Sequence, residues 1–195
     1  MKKTFSIFIV LALLVITYPS LTSAAEDEDI AKTIQVFKDS KAVRKFFKSS
    51  YGYAVFPTIG KVGWVIGGSY GTGKVYRSND VTGKVSVIEG SIGFQFGGKA
   101  FSEIVFFEDK RAYDEFISGG FEFDAKVQAT VITAGAEAQV GTEGASAGAT
   151  AGPKTGVQAE TKYYKGMAVF VHSKGGLMYE ASVSGQKFKF TPIVN

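Results

Sequence analysis

The chain has 195 residues, of which 45% are hydrophobic and 21% charged, and its formal net charge is +4. A chain of this length can form one domain with a sizeable core. It contains no cysteine and one histidine, which excludes disulfides and thiolate chemistry and leaves too few ligands for a His- and Cys-ligated metal site.

The first 25 residues have the layout of a secretory signal peptide. Two lysines supply a positive start, residues 5–16 are apolar apart from Ser6, and small residues follow. The apolar run is shorter than the roughly 20 residues that a membrane-spanning helix needs. The sequence therefore predicts cleavage after Ala24 or Ala25. The mature domain, residues 26–195, would then be exported to the periplasm or the cell exterior and bound peripherally to a membrane.

A basic helix is predicted next. Residues 30–49 contain neither glycine nor proline and follow Asp29, a suitable N-cap, so the helix should run from Ile30 to Ser49. Its apolar positions form an imperfect amphipathic stripe. An acidic block precedes it, and between Ile30 and Ser50 six basic residues stand against one acidic residue, Asp39.

This helix offers two kinds of side chain that could contact a membrane. Basic side chains could meet anionic headgroups, and aromatic side chains could insert between lipids. The candidate lipid-binding residues are Lys38, Lys41, Arg44, Lys45 and Lys48 together with Phe37, Phe46 and Phe47. The alternative is that the apolar stripe packs on the domain's own sheet. Both hold if the aromatic side chains pack inward while the cations face solvent.

The rest of the chain is predicted to be mostly β-structure. All 24 glycines follow Tyr51 and separate short runs of β-favouring residues. One later helix is predicted from its N-cap Asp109 to Ile117. The predicted fold class is therefore α+β. A single domain would combine a strongly curved, mostly antiparallel sheet, for which a barrel is one possible form, with an N-terminal amphipathic helix and one mid-chain helix.

Motifs that would indicate catalysis are incomplete. Residues 68–74 fit the GxxxxGK spacing of a phosphate loop, but Val75 stands where a hydroxyl should bind magnesium, and a glycine-rich β-turn is the alternative interpretation. His172 lacks an accompanying G-x-S-x-G motif. Glu103 could pair with Glu108–Asp109 as acid and base, although helix capping is the simpler role for the latter two. We therefore predict no enzyme activity, no catalytic residue, no cofactor and no metal site.

Four segments in sequence order resemble the SYLF domain, a lipid-binding module. Together they extend the resemblance over most of the chain from Ile30 to the C-terminus. The segments are residues 52–57 (GYAVFP), 67–73 (GGSYGTG), 93–98 (GFQFGG) and the paired stretches 174–177 (KGGL) and 185–188 (GQKF).

The resemblance implies lipid binding without catalytic residues or a cofactor. Eukaryotic members bind phosphoinositides through an N-terminal amphipathic segment, some yeast relatives bind and bundle actin, and bacterial members are exported. The matching segment here is residues 30–50. Because a signal peptide is predicted before it, the resemblance implies a bacterial anionic lipid, such as phosphatidylglycerol or cardiolipin, as its partner.

Nucleic acid and protein are two other kinds of partner. Nucleic acid is not expected as a partner. The aromatic residues do not have the spacing of an RNA-binding sheet, and nucleic acid is not expected in the predicted compartment. The alternative function is an envelope scaffold that binds a protein partner. In that case the Gly/Ala-rich residues 141–156, predicted as a loose hairpin tip, could become ordered on the partner.

Overall fold

The computed structural model describes residues 19–119, 122–123, 129–132, 139–141, 145–146 and 162–193. The described residues contain three helices, which are α1 (Pro19–Asp39), α2 (Lys41–Ser49) and α3 (Lys110–Ile117). One sheet contains eight strands, which are β1 (Gly52–Gly63), β2 (Ile66–Arg77), β3 (Asp80–Phe107), β4 (Glu122–Phe123), β5 (Ala129–Ile132), β6 (Gln139–Gly141), β7 (Ala145–Ser146) and β8 (Met167–Pro192). The predicted α+β class is confirmed.

Strand β3 organises the sheet because it pairs with three long strands. Residues 80–92 pair with β2, residues 97–107 pair with β1, and β8 runs antiparallel beside most of β3. Since β1 and β2 also pair with each other, the two parts of β3 lie along the two edges of the β1–β2 hairpin. The sheet is curved and mostly antiparallel, as predicted, and it is not closed into a barrel.

Glycines of β2 allow β1 to approach closely. A Cβ atom at Gly73 would lie 2.0 Å from the backbone oxygen of Val55, and one at Gly71 would lie 2.6 Å from the Ile59 side chain. The register between these strands shifts between Val55 and Thr58. Residues 68–74 thus lie within a strand, so the interpretation of this segment as a β-turn is wrong.

The two faces of the sheet carry separate cores. Phe106 and Phe107 are neighbours in β3 and therefore point to opposite faces. On the face that we call inner, the Phe107 ring lies 4.7 Å from that of Phe116 in α3. On the outer face, Phe106 lies 5.6 Å from Phe46 of α2. Helices α1 and α2 cover one end of the outer face, and α3 packs on the inner face.

The N-terminal helical region differs from the single helix that was predicted over Ile30–Ser49. Helix α1 contains Asp29 in its interior rather than at an N-cap, and it ends at Asp39. Ser40 then adopts an extended backbone conformation, with φ −73° and ψ 125°, before α2 begins. Serine is a weak helix former because its hydroxyl competes for backbone hydrogen bonds in non-helical conformations.

The end of α1 is stabilised by a side chain of α2. The guanidinium of Arg44 donates hydrogen bonds to the backbone oxygens of Lys38 at 3.1 Å and Asp39 at 3.4 Å. These carbonyl groups belong to the last turn of α1, where no helical N–H can reach them. Arg44 therefore has a structural role that sequence reasoning did not assign.

The N-terminal part of the predicted signal peptide, residues 1–18, lies outside the described residues. Helix α1 runs through the predicted cleavage position after Ala24 or Ala25. Among the residues that the structure describes, no helix is both long and apolar enough to cross a membrane.

Candidate functional site

The candidate lipid-binding residues separate into a packed aromatic group and an exposed basic group. Phe37 and Phe46 are buried, and Phe47 is half-buried. The exposed residues are Lys38, Lys41, Arg44, Lys45 and Lys48. The structure therefore has the arrangement in which aromatic side chains pack on the sheet while cations face solvent.

Ring contacts fix α2 against the outer face. The Phe46 ring centroid lies 5.0 Å from that of Phe170 and 5.2 Å from that of Tyr163, both edge to face. The Phe47 ring lies 4.9 Å from Phe106 and 5.3 Å from Tyr53. Because these contacts orient α2, its basic residues form a fixed, solvent-facing surface. We call this surface, Lys41, Lys45 and Lys48, the basic face of α2.

Helix α1 is held to the sheet by a charge pair. The Asp27 carboxylate accepts a hydrogen bond from the Lys74 ammonium of β2. This hydrogen bond is the main reason that the pKa of Lys74 is raised above its ordinary value. Asp27 belongs to the acidic block that precedes Ile30. This block thus contacts the sheet, where Asp27 offsets the positive charge of Lys74.

A second surface was not found from the sequence. Eight large apolar side chains at one end of the sheet are each more than half exposed, and we call them the apolar tip. They are Val62, Trp64, Val65, Ile66, Tyr70, Ile88, Ile92 and Phe96. Every other exposed large apolar residue among those described is at most 42% exposed. An apolar cluster of this kind on a protein surface commonly marks an interaction site.

The apolar tip lies on the outer face, beyond the end covered by α1 and α2. Ile66 pairs with Ile92 across β2 and β3, and Tyr70 pairs with Ile88. Paired residues of antiparallel strands project from the same face. At the edge of the tip, the rings of Trp64 and Phe96 meet edge to face at 5.8 Å.

One sequence signal could have revealed the tip. The turn between β1 and β2 consists of Trp64 and Val65, whereas exposed hairpin turns usually contain Gly, Asn, Asp, Pro or Ser. Trp and Val do not favour the backbone conformation of such a turn as those residue types do. The residue types of this turn therefore point to a contact made by the side chains.

Beneath the tip, the inner face carries a buried polar cluster. Lys61 and Glu89 form an ion pair in which Nζ and Oε1 are 2.5 Å apart. The Ser69 hydroxyl donates to the second oxygen of Glu89 at 3.0 Å. The Gln186 amide reaches Glu89 at 3.5 Å and Glu103 at 3.4 Å. The sequence did not predict this cluster, because its members are far apart along the chain.

Residues considered for catalysis are not brought together. Glu103 lies in the buried polar cluster, whereas Glu108 is exposed beyond the end of β3. Asp109 caps α3 by accepting a hydrogen bond from the Ala112 amide at 2.8 Å, which confirms the capping role. His172 pairs with Ser102, whose hydroxyl approaches the His172 backbone oxygen at 3.5 Å.

Among the described residues, no group of three or more His, Cys, Asp and Glu side chains is arranged to hold a metal ion.

Comparison with known proteins gives one distant relative. The chain is 27% identical over 158 residues to Beta cell expansion factor A of Aeromonas veronii, an alignment that covers 80% of this chain. It covers 51% of the relative, so the chain spans about half of that protein's length. No family model matches the chain. No solved structure matches it either.

Proposed function

We propose that this chain is an exported, non-enzymatic lipid-binding domain of the SYLF type that associates peripherally with anionic membrane surfaces. The observation that supports this most is the basic face of α2. Its cations are exposed on a helix whose aromatic side chains are held by the sheet. The proposal of export depends on the signal-peptide pattern of residues 1–25.

Electrostatic attraction is strong enough to account for such binding. Each basic residue close to an anionic lipid surface contributes about 1 kcal/mol. Because α2 is already ordered by its ring contacts, little further ordering of the backbone is needed when it meets the surface. Surface charges are screened over about 8 Å at physiological ionic strength, so binding should weaken as salt is added.

Co-sedimentation with vesicles tests the proposal. The purified protein should pellet with vesicles that contain phosphatidylglycerol and remain in solution with phosphatidylcholine alone. A double variant, Lys41→Glu with Lys48→Glu, should bind anionic vesicles much more weakly. Arg44 is left unchanged because it also caps α1. Equal pelleting with neutral and anionic vesicles, or no pelleting with either, would refute the proposal.

A matched control separates local charge from net charge. Lys110→Glu with Arg111→Glu makes the same charge change on α3, which packs on the opposite face of the sheet. The ion pairs that these residues make with Asp114 and Glu115 are exposed, and such pairs contribute about 0–1 kcal/mol to stability. The control should therefore fold and bind anionic vesicles nearly as well as the unmodified protein.

Export is tested separately by mass spectrometry. Protein recovered from the periplasm or medium of an expressing bacterium should have the intact mass expected after cleavage at Ala24 or Ala25. Retention of the full-length mass in the cytoplasmic fraction would contradict export without bearing on lipid binding.

A further inference from the structure

The apolar tip combines high exposure with an unusual concentration of apolar side chains. Trp64 is 70% exposed, Ile66 74% and Ile92 72%. These residues project from the sheet at the turn between β1 and β2 and from the neighbouring part of β3. Leaving them in water has a free-energy cost that burial against an apolar phase would remove.

The backbone of the tip is already hydrogen-bonded within the sheet. Strand β2 pairs with β1 on one side and with β3 on the other. At the turn, the Trp64 amide donates to the Ile66 oxygen at 3.2 Å, and the Gly93 amide donates to the Val65 oxygen at 2.9 Å. A hydrocarbon phase tolerates a protein segment only when such groups are satisfied internally. The same pairing leaves β2 without an open edge for a partner strand.

The charges around the tip complement an anionic surface. Between Lys61 and Gln95 the acidic residues are Asp80 and Glu89. Asp80 follows the turn at the opposite end of β2, and Glu89 is buried on the inner face. Exposed lysines follow the tip on the outer face, at Lys84 of β3 and at Lys189 of β8. Tryptophan and tyrosine within the tip favour the boundary between headgroups and acyl chains.

We propose that the apolar tip inserts into the leaflet of an anionic bilayer that it contacts. Trp64 then reaches the boundary between the headgroups and the acyl chains. This inference rests on the proposed lipid-binding function and adds to it the residues that enter the membrane. The basic face of α2 then supplies attraction to the surface, while the tip supplies the apolar contact that α2 cannot make because its rings are packed on the sheet.

Trp64 is the single tryptophan of the chain, so its fluorescence reports on the tip of the unmodified protein. With vesicles of phosphatidylcholine and phosphatidylglycerol, we expect its emission to shift to shorter wavelength. Phosphatidylcholine brominated on its acyl chains should quench that emission, whereas bromide in the aqueous phase should quench it less than in buffer. Pelleting is measured on the same samples.

The possible failures are distinguishable. If the protein pellets with anionic vesicles while Trp64 emission is unchanged and unquenched, the insertion is wrong and the proposed function remains. If nothing pellets, both are wrong. If Trp64 already emits at short wavelength in buffer and sedimentation shows a dimer, a second copy of the chain covers the tip and insertion is overturned.

Identical substitutions at two places give the matched comparison. Val62→Thr with Val65→Thr alters the tip, whereas Val36→Thr with Val81→Thr makes the same chemical change at residues that are 37% and 36% exposed elsewhere. Two methyl groups that the bilayer would bury become hydroxyls in the tip variant, which should weaken its partitioning to vesicles about tenfold. The control pair should bind as the unmodified protein does. Equal binding by both pairs would overturn the inference.

Discussion

The ammonium group of Lys61 and the carboxylate of Glu89 form an ion pair inside the curved sheet, where each side chain is only 3% exposed. Ser69 and Gln186 provide further hydrogen bonds to the same carboxylate. Removing two charges from water has a large free-energy cost, which pairing and hydrogen bonding offset. The cost of burying either charge is therefore offset only while its partner is present.

We predict that Lys61→Met lowers the free energy of unfolding by about 3–5 kcal/mol, because it leaves the Glu89 carboxylate buried without its cation. Urea unfolding followed by circular dichroism measures the change. The double variant Lys61→Met with Glu89→Leu should regain most of the loss, since neither charge of this pair is then left buried without its partner. A single variant as stable as the unmodified protein would show that the ion pair is not buried as described.

A second prediction concerns the attachment of α2 to the sheet. Phe46 is 3% exposed and contacts three aromatic rings, so Phe46→Ala should destabilise the protein by about 3–5 kcal/mol. Val36→Ala, at an exposed position of α1, should change stability by about 0.5 kcal/mol or less. Thermal unfolding of both variants tests this. An unchanged melting temperature for Phe46→Ala would mean that α2 does not pack on the sheet in solution.

Local sequence signals predicted α3 well but failed at the N-terminal helices. The carboxylate of Asp109, the apolar stripe after it and the glycines that follow are all close together in the chain, so the sequence alone locates both ends of α3. The break at Ser40 depends on tertiary contacts, since α1 and α2 must each lay aromatic residues on the same curved face. Periodicity alone could not reveal this change of direction.

The basic part of the candidate site could be read from the sequence because charge is a property of composition. The strand residues of the apolar tip could not, because exposure of Ile66 and Ile92 depends on which end of the outer face the helices cover. An alternating apolar pattern in a strand indicates one buried face. Here apolar residues occupy both faces, and the structure leaves part of the outer one uncovered.

A third prediction concerns stability at high pH. Burial, and secondarily the neighbouring Tyr76, raises the pKa of Tyr53 from 10.0 to about 12. The two rings are stacked at 4.9 Å. As pH rises above 10, the unfolded chain loses this proton while the folded protein keeps it, so stability falls until the folded pKa is passed. The slope contributed by Tyr53 is at most about 1.4 kcal/mol per pH unit.

Comparison with Tyr53→Phe isolates that contribution, because other titrating groups are common to both proteins. Between pH 10 and 12 the urea midpoint of the unmodified protein should fall more steeply than that of the variant. Below pH 9 the two should have parallel pH dependence. Equal slopes across the alkaline range would contradict the buried, protonated state of Tyr53.

The last prediction concerns the glycines of β2, whose spacing resembles a phosphate loop but whose role is close packing. Gly73→Ala would place a methyl group 2.0 Å from the Val55 backbone oxygen. Backbone atoms cannot move aside cheaply, so the variant should lose about 3 kcal/mol of stability or more.

Gly90→Ala provides the control, since a Cβ atom there meets nothing within 4 Å. Alanine restricts the unfolded chain more than glycine does, so that control should be stabilised by about 0.4–1 kcal/mol. The free energy of unfolding in urea should thus fall for Gly73→Ala in β2 and rise for Gly90→Ala in the adjacent strand β3. A neutral Gly73→Ala would refute the close approach of β1 to β2 and remove the packing explanation for this glycine.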